Sequence, residues 1–320
     1  MLESLLQLSA KVGRLDPEFV LRHSGNDTIK RYACASGIIG DYLYIFGGIR
    51  GTTLLGDMHR YDLKTNTWEQ LYPENSPPAR AACASVVANG KLYMINGRNS
   101  AGTTASGFRE VQVYDPVTNR WDLLTTTPTG LGISYPAATY HDGRIHVFGG
   151  YTSYTLTYSG YLDLTTLTWS SFGSPIGRHG TQLVESNGTL TLHTGVPENN
   201  SLGIYQRAAD PAGPNWVMKR ADGKLRSYTA HAVREGKLYG YGGYTGNGST
   251  AGSQYSDFYE LDLTTFAFRY FDNPITERHA ALGHLYGDSM ILFGGHRYAL
   301  GGQTGELWEI KLPTKFDGVN

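Results

Sequence analysis

The chain has 320 residues and a mass of 35.1 kDa, enough for two average domains but also for a single large sheet barrel or propeller. Glycine fills 41 positions and tyrosine 23, while charged residues make up only 17%, which excludes a coiled coil or a charged disordered chain and points to turn-rich β-structure. A formal net charge of −1 carries no basic footprint for nucleic acid or an anionic membrane, and two cysteines cannot build a disulfide framework.

Residues 1–18 form an N-terminal segment. Leu2, Leu5, Leu6 and Val12 fall near helical spacing, which predicts a short amphipathic helix over residues 1–13 that either packs as a stub on the body of the protein or docks into a partner assembly. The segment lacks the basic region and long apolar run of a secretory signal, and no stretch reaches the ~20 apolar residues of a membrane span. The expected location is therefore the cytoplasm, a virion or another assembly. The sequons at Asn26, Asn187, Asn200 and Asn247 are read as incidental.

From residue 31 onward the same pattern recurs. Arg31-Tyr32-Ala33-Cys34 begins a small-residue strand, Gly40-Asp41 turns the chain, and an apolar strand runs into Phe46-Gly47-Gly48. Tyr61-Asp62 then ends a third strand and Trp68 opens a fourth, seven residues after the tyrosine. The turn between them, Asp62-Leu63-Lys64-Thr65-Asn66, suits an aspartate that caps backbone N–H groups and an asparagine that accepts a left-handed conformation.

Later copies keep step. Arginines stand at 80, 178, 226 and 278, with Tyr135-Pro136 in the third copy instead; the last glycines of the apolar strands are at 48, 97, 150, 195, 243 and 295, a period close to fifty. Tyr114 precedes Trp121, Leu162 precedes Trp169, Ala209 precedes Trp216 and Leu261 precedes Phe268 by the same seven residues. Two-residue turns such as Asn89-Gly90 and Asn187-Gly188 are strong hairpin signals. Each copy thus predicts four antiparallel strands, and six copies at a fixed period predict a repeat architecture. Cys34 and Cys83 hold equivalent places and read as small core residues.

These motifs resemble the kelch repeat: an apolar strand into Gly-Gly, a tyrosine about a dozen residues on, and a tryptophan seven after it. The resemblance covers residues 19 to 312 and implies an all-β fold, a six-bladed kelch β-propeller of four-stranded antiparallel blades. The sixth copy stops after Leu307–Leu312, one strand short. Phe19 lies twelve residues before Arg31, the interval that separates Trp68 from Arg80, so residues 19–30 are expected to complete blade 6 and close the ring. Residues 313–320 remain as a C-terminal tail.

Strand direction puts the arginines and the segments after Gly-Gly on one face, with the tight turns on the other, where little room for a site is expected. Loops 98–109, 151–159, 244–256 and 296–305 are rich in Tyr, Ser, Thr, Gly and Asn, the chemistry of adaptable recognition surfaces. Candidate ligand-binding residues are Arg98, Tyr151, Tyr154, Tyr244, Arg297 and Tyr298 in these loops, Tyr135, and a ring of Arg31, Arg80, Arg178, Arg226 and Arg278 around the axial mouth. Guanidinium forks suit carboxylates, but periodic residues also serve the repeat itself by closing gaps between blades. Arg50 is a further irregular arginine.

No metal-ligand spacing, nucleophile elbow or phosphate loop occurs, and no cofactor, metal or catalytic residue is assigned. The expected function is a non-enzymatic recognition or structural module whose loop face binds a protein partner or a glycan, as in a phage virion or tail. The alternative is a sugar-converting enzyme of kelch type, mutarotase-like or oxidase-like, drawing on Glu110, Glu198 and Arg80 near the mouth.

Overall fold

The computed structural model describes residues 14–100, 107–128, 132–152, 155–197, 203–221, 226–245, 253–298 and 301–314. Six four-stranded antiparallel sheets follow one another around an axis. The first, Ala35–Ile39, Tyr42–Phe46, Met58–Asp62 and Thr67–Leu71, shows the plan, with the small-residue strand innermost and the tryptophan strand outermost. The small inner strands permit close convergence at the axis, while the large residues of the middle strands fill the wedges between blades. Between the last and first blades, for example, Leu43, Ile45 and Tyr61 pack on Ile291, Phe293 and Leu307.

Two backbone circuits hold the blades together on the diglycine side. Ala82 N–H donates to the Ala33 carbonyl (2.8 Å), Tyr135 to Ala82 (2.7 Å), Gly180 to Tyr135 (3.3 Å), Tyr228 to Gly180 (2.8 Å), Ala280 to Tyr228 (2.8 Å) and Ala33 to Ala280 (3.1 Å). All six residues have left-handed φ between 50° and 58°, which turns each amide toward the neighbouring blade. Outside this circuit, the second glycine of each apolar strand donates to the next blade: Gly48 to Arg80, Gly97 to Ile133, Gly150 to Arg178, Gly195 to Arg226, Gly243 to Arg278 and Gly295 to Arg31. The first position takes a left-handed φ in every blade, with Asn96 at 59° and Thr194 at 64° in the second and fourth, and where it is glycine the neighbouring carbonyl comes very close. A Cβ on Gly149, at φ 60°, would lie 2.1 Å from the Arg178 carbonyl oxygen.

Glu18–His23 is the outermost strand of the sixth blade, pairing with Leu307–Lys311 so that Phe19 lies opposite Ile310. The ring is closed by a strand from the start of the chain. Phe19 also sets its ring edge-on to Phe258 of the fifth blade at 5.6 Å, and Arg22 pairs with Glu309.

The turns between third and fourth strands follow the sequence reading. Asp62, Asp163 and Asp262 each accept two backbone N–H groups, and Asp115 and Asp210 one each. Asn66 and Asn119 take φ of 61° and 50°, but the same corner is filled by Leu167 at 56° and Phe266 at 59°, residues that pay a steric penalty there. Replacing exposed Leu167 with Asn is expected to stabilise the protein by about 1 kcal/mol, read as a higher urea midpoint at unchanged slope; an unchanged midpoint would show that the turn has relaxed around the leucine.

In the fourth blade the register differs from the sequence pattern. Arg207, rather than Ala209, lies across from Leu190, where the first blade has Tyr61 across from Leu43. Ala209 instead donates to the Gly188 carbonyl, as Leu63 does to Asp41. The fourth blade has a longer turn, so the seven-residue spacing to Trp216 there is coincidental.

Candidate functional site

The repeated arginines do not line an open mouth, as expected of them as ligand-binding residues. Arg31, Arg80, Arg178, Arg226 and Arg278 are 0–4% exposed. Arg31, Arg178, Arg226 and Arg278 each donate to the carbonyl sixteen residues on, at Gly47, Thr194, Gly242 and Gly294. Among the described residues, Arg31 meets Asp57 (2.8 Å), Arg80 meets Glu110 (3.0 Å), Arg226 meets Asp257 (2.6 Å) and Arg278 meets Glu306 (2.7 Å). Their planar forks hold the start of the third strand against the inner one, the structural role of a periodic residue.

The third blade shows the pair exchanged as a unit. The residue in the arginine's place is Ile133, whose carbonyl accepts from Gly97, and Tyr135 belongs to the axial circuit two residues further on. Opposite Ile133, at the position of Asp57 and Asp257, stands Tyr158; its carbonyl accepts from Gly149 as theirs accept from Gly47 and Gly242. Losing the arginine alone would strand a half-buried carboxylate, so both charges disappear together.

What surrounds the axial mouth is aromatic. Each first-strand residue after the arginine position bridges the residue after the diglycine: Tyr32 to Ile49, Ala81 to Arg98, Ser134 to Tyr151, His179 to Val196, Ser227 to Tyr244 and His279 to His296. These bridges bring Tyr32, Tyr151, His179, Tyr244, His279 and His296 to the same rim. Tyr135 and Tyr228 project from the circuit itself, their rings edge-on at 4.7 Å, and a Cβ on Gly180 would strike the Tyr228 ring at 2.5 Å. Tyr298 stacks on His279 at 5.2 Å and lies 5.6 Å from Tyr244. The Arg98 guanidinium lies 5.5 Å from the Tyr135 ring, and its charge also acts on the Tyr32 phenol.

Among the described residues nine rings thus share one face, and its three histidines are neutral near neutral pH. Burial pulls His179 down to about 4 and His279 to about 3, and lowers His296. It raises the phenols of Tyr32, Tyr135, Tyr228 and Tyr298. A cavity of about 150 Å³ lies beneath the circuit, lined by Ala33, Ala82, Tyr135, Gly180, Tyr228 and Ala280 among others.

Of the sequence candidates, Arg98, Tyr135, Tyr151, Tyr244 and Tyr298 come together here. Arg297 pairs with Glu306 at 3.3 Å, and Arg50 donates to the Asp27 and Thr28 carbonyls. Tyr154 and Glu198 fall outside the described residues. Tyr32, Tyr228, His179, His279 and His296 were not among the candidates. Their signal was the variability of the positions just after a repeated arginine or diglycine, where the repeat itself leaves side-chain identity open.

The tight-turn side is roomier than expected. The channel there widens to a cavity of about 320 Å³ lined by Ser85, Tyr140, Glu185, His231 and His284 among others. Its size comes from the small and β-branched inner strands, which leave the axis unfilled. Cys34 and Cys83 pack in blade interfaces, and burial pushes both thiols up to about 12. Among the described residues no group of three or more His, Cys, Asp or Glu is placed to hold a metal ion, and no helix is long and apolar enough to cross a membrane.

The family model described as the KLHDC2/KLHL20/DRC7 kelch-repeats domain matches residues 18–150. Kelch domain-containing protein 10 of Xenopus tropicalis is 31% identical over 150 residues, 43% of this chain and 36% of that protein. Acyl-CoA-binding domain-containing protein 4 of Arabidopsis thaliana is 32% identical over 162 residues, 46% and 24% of the two chains. The kelch-like protein terF of Aspergillus terreus is 29% identical over 132 residues, 39% and 28% of the two. The matches therefore span about a third or less of these relatives. Among solved structures, that of YjhT superposes with a TM-score of 0.73 at 15% identity, covering 89% of this chain and 96% of the other, a likeness of fold.

Proposed function

Because the chain is a kelch-repeat β-propeller of six blades, we propose that it is a non-enzymatic recognition module that seats one segment of a protein partner, or a glycan chain, on the aromatic mouth of its diglycine face. The observation that carries this reading is the convergence, among the described residues, of nine aromatic rings around Tyr135 and Tyr228. Tyrosine offers rigid amphipathic area with a polar tip, at a low entropic cost of immobilisation. Aromatic faces and neutral histidines favour a partner whose contacting surface is polar but largely uncharged, and the buried Arg98 guanidinium places one positive charge behind the rim. The sugar-converting alternative is less well supported, since Glu110 is engaged by Arg80.

The test is a screen of the whole chain against peptide and glycan arrays, followed by titration of each hit with Tyr135→Ala and Tyr228→Ala. Alanine already occupies this circuit position at residues 33, 82 and 280, so both variants should fold. Loss of one stacked ring should weaken binding roughly 5- to 30-fold, the range of about 1–2 kcal/mol common for aromatic interface residues. Unchanged binding by the double variant, or turnover of a sugar hit, would overturn the proposal.

A further inference from the structure

At five of the six blade interfaces, the residue that the third strand turns toward the preceding blade is a large uncharged side chain: Tyr61, Tyr114, Leu162, Leu261 and Ile310, all buried. The fourth blade has Arg207 there, 3% exposed. Facing it from the second strand of the third blade is His146, 1% exposed, where the first and second blades have Tyr44 and Tyr93. Both pack on Phe172: the Arg207 guanidinium is 3.8 Å from the ring centroid and the His146 ring 6.2 Å from it.

These side chains are incompletely satisfied. Arg207 donates from Nε to the Ala208 carbonyl (3.0 Å) and from Nη2 to the Asp210 carbonyl (3.4 Å), but buried Nη1 has no partner. Neither ring nitrogen of His146 has one, nor does the buried Oγ of Ser159, which lies on the same face of the sheet two residues before Tyr161, the cross-strand neighbour of His146. Arg207 also has no carboxylate within ion-pair distance among the described residues. The side chain of Asp210 is exposed and accepts from Ala212 N–H. A guanidinium cannot shed its charge, so burial without a counter-charge is costly. His146 offers no relief by ionising, because burial and the adjacent positive charges hold it down to about 4 and neutral.

We propose that a monovalent inorganic anion of chloride size binds between blades 3 and 4, held by Arg207 Nη1, the N–H of neutral His146 and the Ser159 hydroxyl. The three groups can all donate and together carry one positive charge. An acceptor with one negative charge satisfies them and neutralises the site, whereas a water molecule would leave the charge uncompensated.

The experiment uses the whole chain and halide probes. Crystals soaked in sodium bromide should show an anomalous peak within hydrogen-bonding reach of Arg207 Nη1. At fixed ionic strength, exchange of gluconate for chloride should raise the melting temperature, by about 3–4 °C per hundredfold chloride above half-saturation. Arg207→Tyr installs the residue found at positions 61 and 114 and should fold without halide dependence; His146→Tyr, copying positions 44 and 93, serves if it does not. No bromide peak at Arg207, or a chloride response that persists in the folded variant, would overturn the site.

Discussion

Deletion of residues 1–24 is expected to abolish cooperative folding. The truncated chain would lose Glu18–His23, leaving Leu307–Lys311 as an unpaired edge and removing Phe19 from its packing on Phe258. The closing strand also carries Arg22, whose partner Glu309 is nearly buried. A propeller tolerates few losses of this kind, because without Glu18–His23 the last blade is joined covalently to its neighbour on one side only and reaches the first blade through packing and the two backbone circuits alone. The lost apolar burial and the exposed edge together should exceed about 5 kcal/mol, comparable with the whole stability of many domains. Circular dichroism should show a broad or absent melting transition, and gel filtration an expanded or aggregated species. A melting transition unchanged from the full chain would show that the outer strand is dispensable.

The second large effect concerns the buried arginine pairs. Arg226→Ile should destabilise the protein by about 3–5 kcal/mol, because the largely buried Asp257 side chain would lose the bidentate partner now at 2.8 and 2.6 Å. Adding Asp257→Tyr should recover much of that loss, since Ile133 and Tyr158 show the fold accommodating that combination at the equivalent place in the third blade. The measurement is a double-mutant cycle of chemical unfolding free energies. Additive losses would mean that the third blade tolerates its apolar pair for reasons peculiar to that interface. The same cycle separates structure from recognition: a partner that binds the aromatic mouth should bind the double variant unchanged.

The arginines show where reading the sequence reached its limit. Their fifty-residue period was visible, and so was the alternative that a periodic residue serves the repeat. Which reading holds depends on where the guanidinium points, and that is decided by Asp57, Glu110, Asp257 and Glu306, which lie 26 to 31 residues further along the chain at varying intervals. Loops of different length after the diglycines hide that partnership from any fixed spacing. The same variability concealed the shift in the fourth blade, where an Asp in a longer turn imitates the marker and displaces attention from Arg207.

The aromatic mouth was half legible. Tyr151, Tyr244 and Tyr298 stand out by loop composition and Tyr135 by interrupting the series of arginines, but His179 and His279, directly after repeated arginines, read as loop or core residues, and Tyr32 reads only as part of the repeat. Histidine clusters announce themselves in sequence when they bind metals at short spacing. Here their common feature is a shared rim position in different blades, a relation that exists only once the ring is closed.

By itself the sequence determined the repeat: a glycine kept in all six copies where the apolar strand meets a neighbouring carbonyl, aspartates that cap the outer turns, small inner strands, and a first strand that supplies the one missing at the end. Those are local steric and hydrogen-bonding requirements, and each copy states them again. Tertiary structure alone decided which repeated residues are consumed in joining blades and which are left at the rim of the axial mouth. That division follows from convergence at the axis, where side chains almost fifty residues or more apart meet, and where burial turns charged arginines into scaffold and keeps histidines neutral at the mouth.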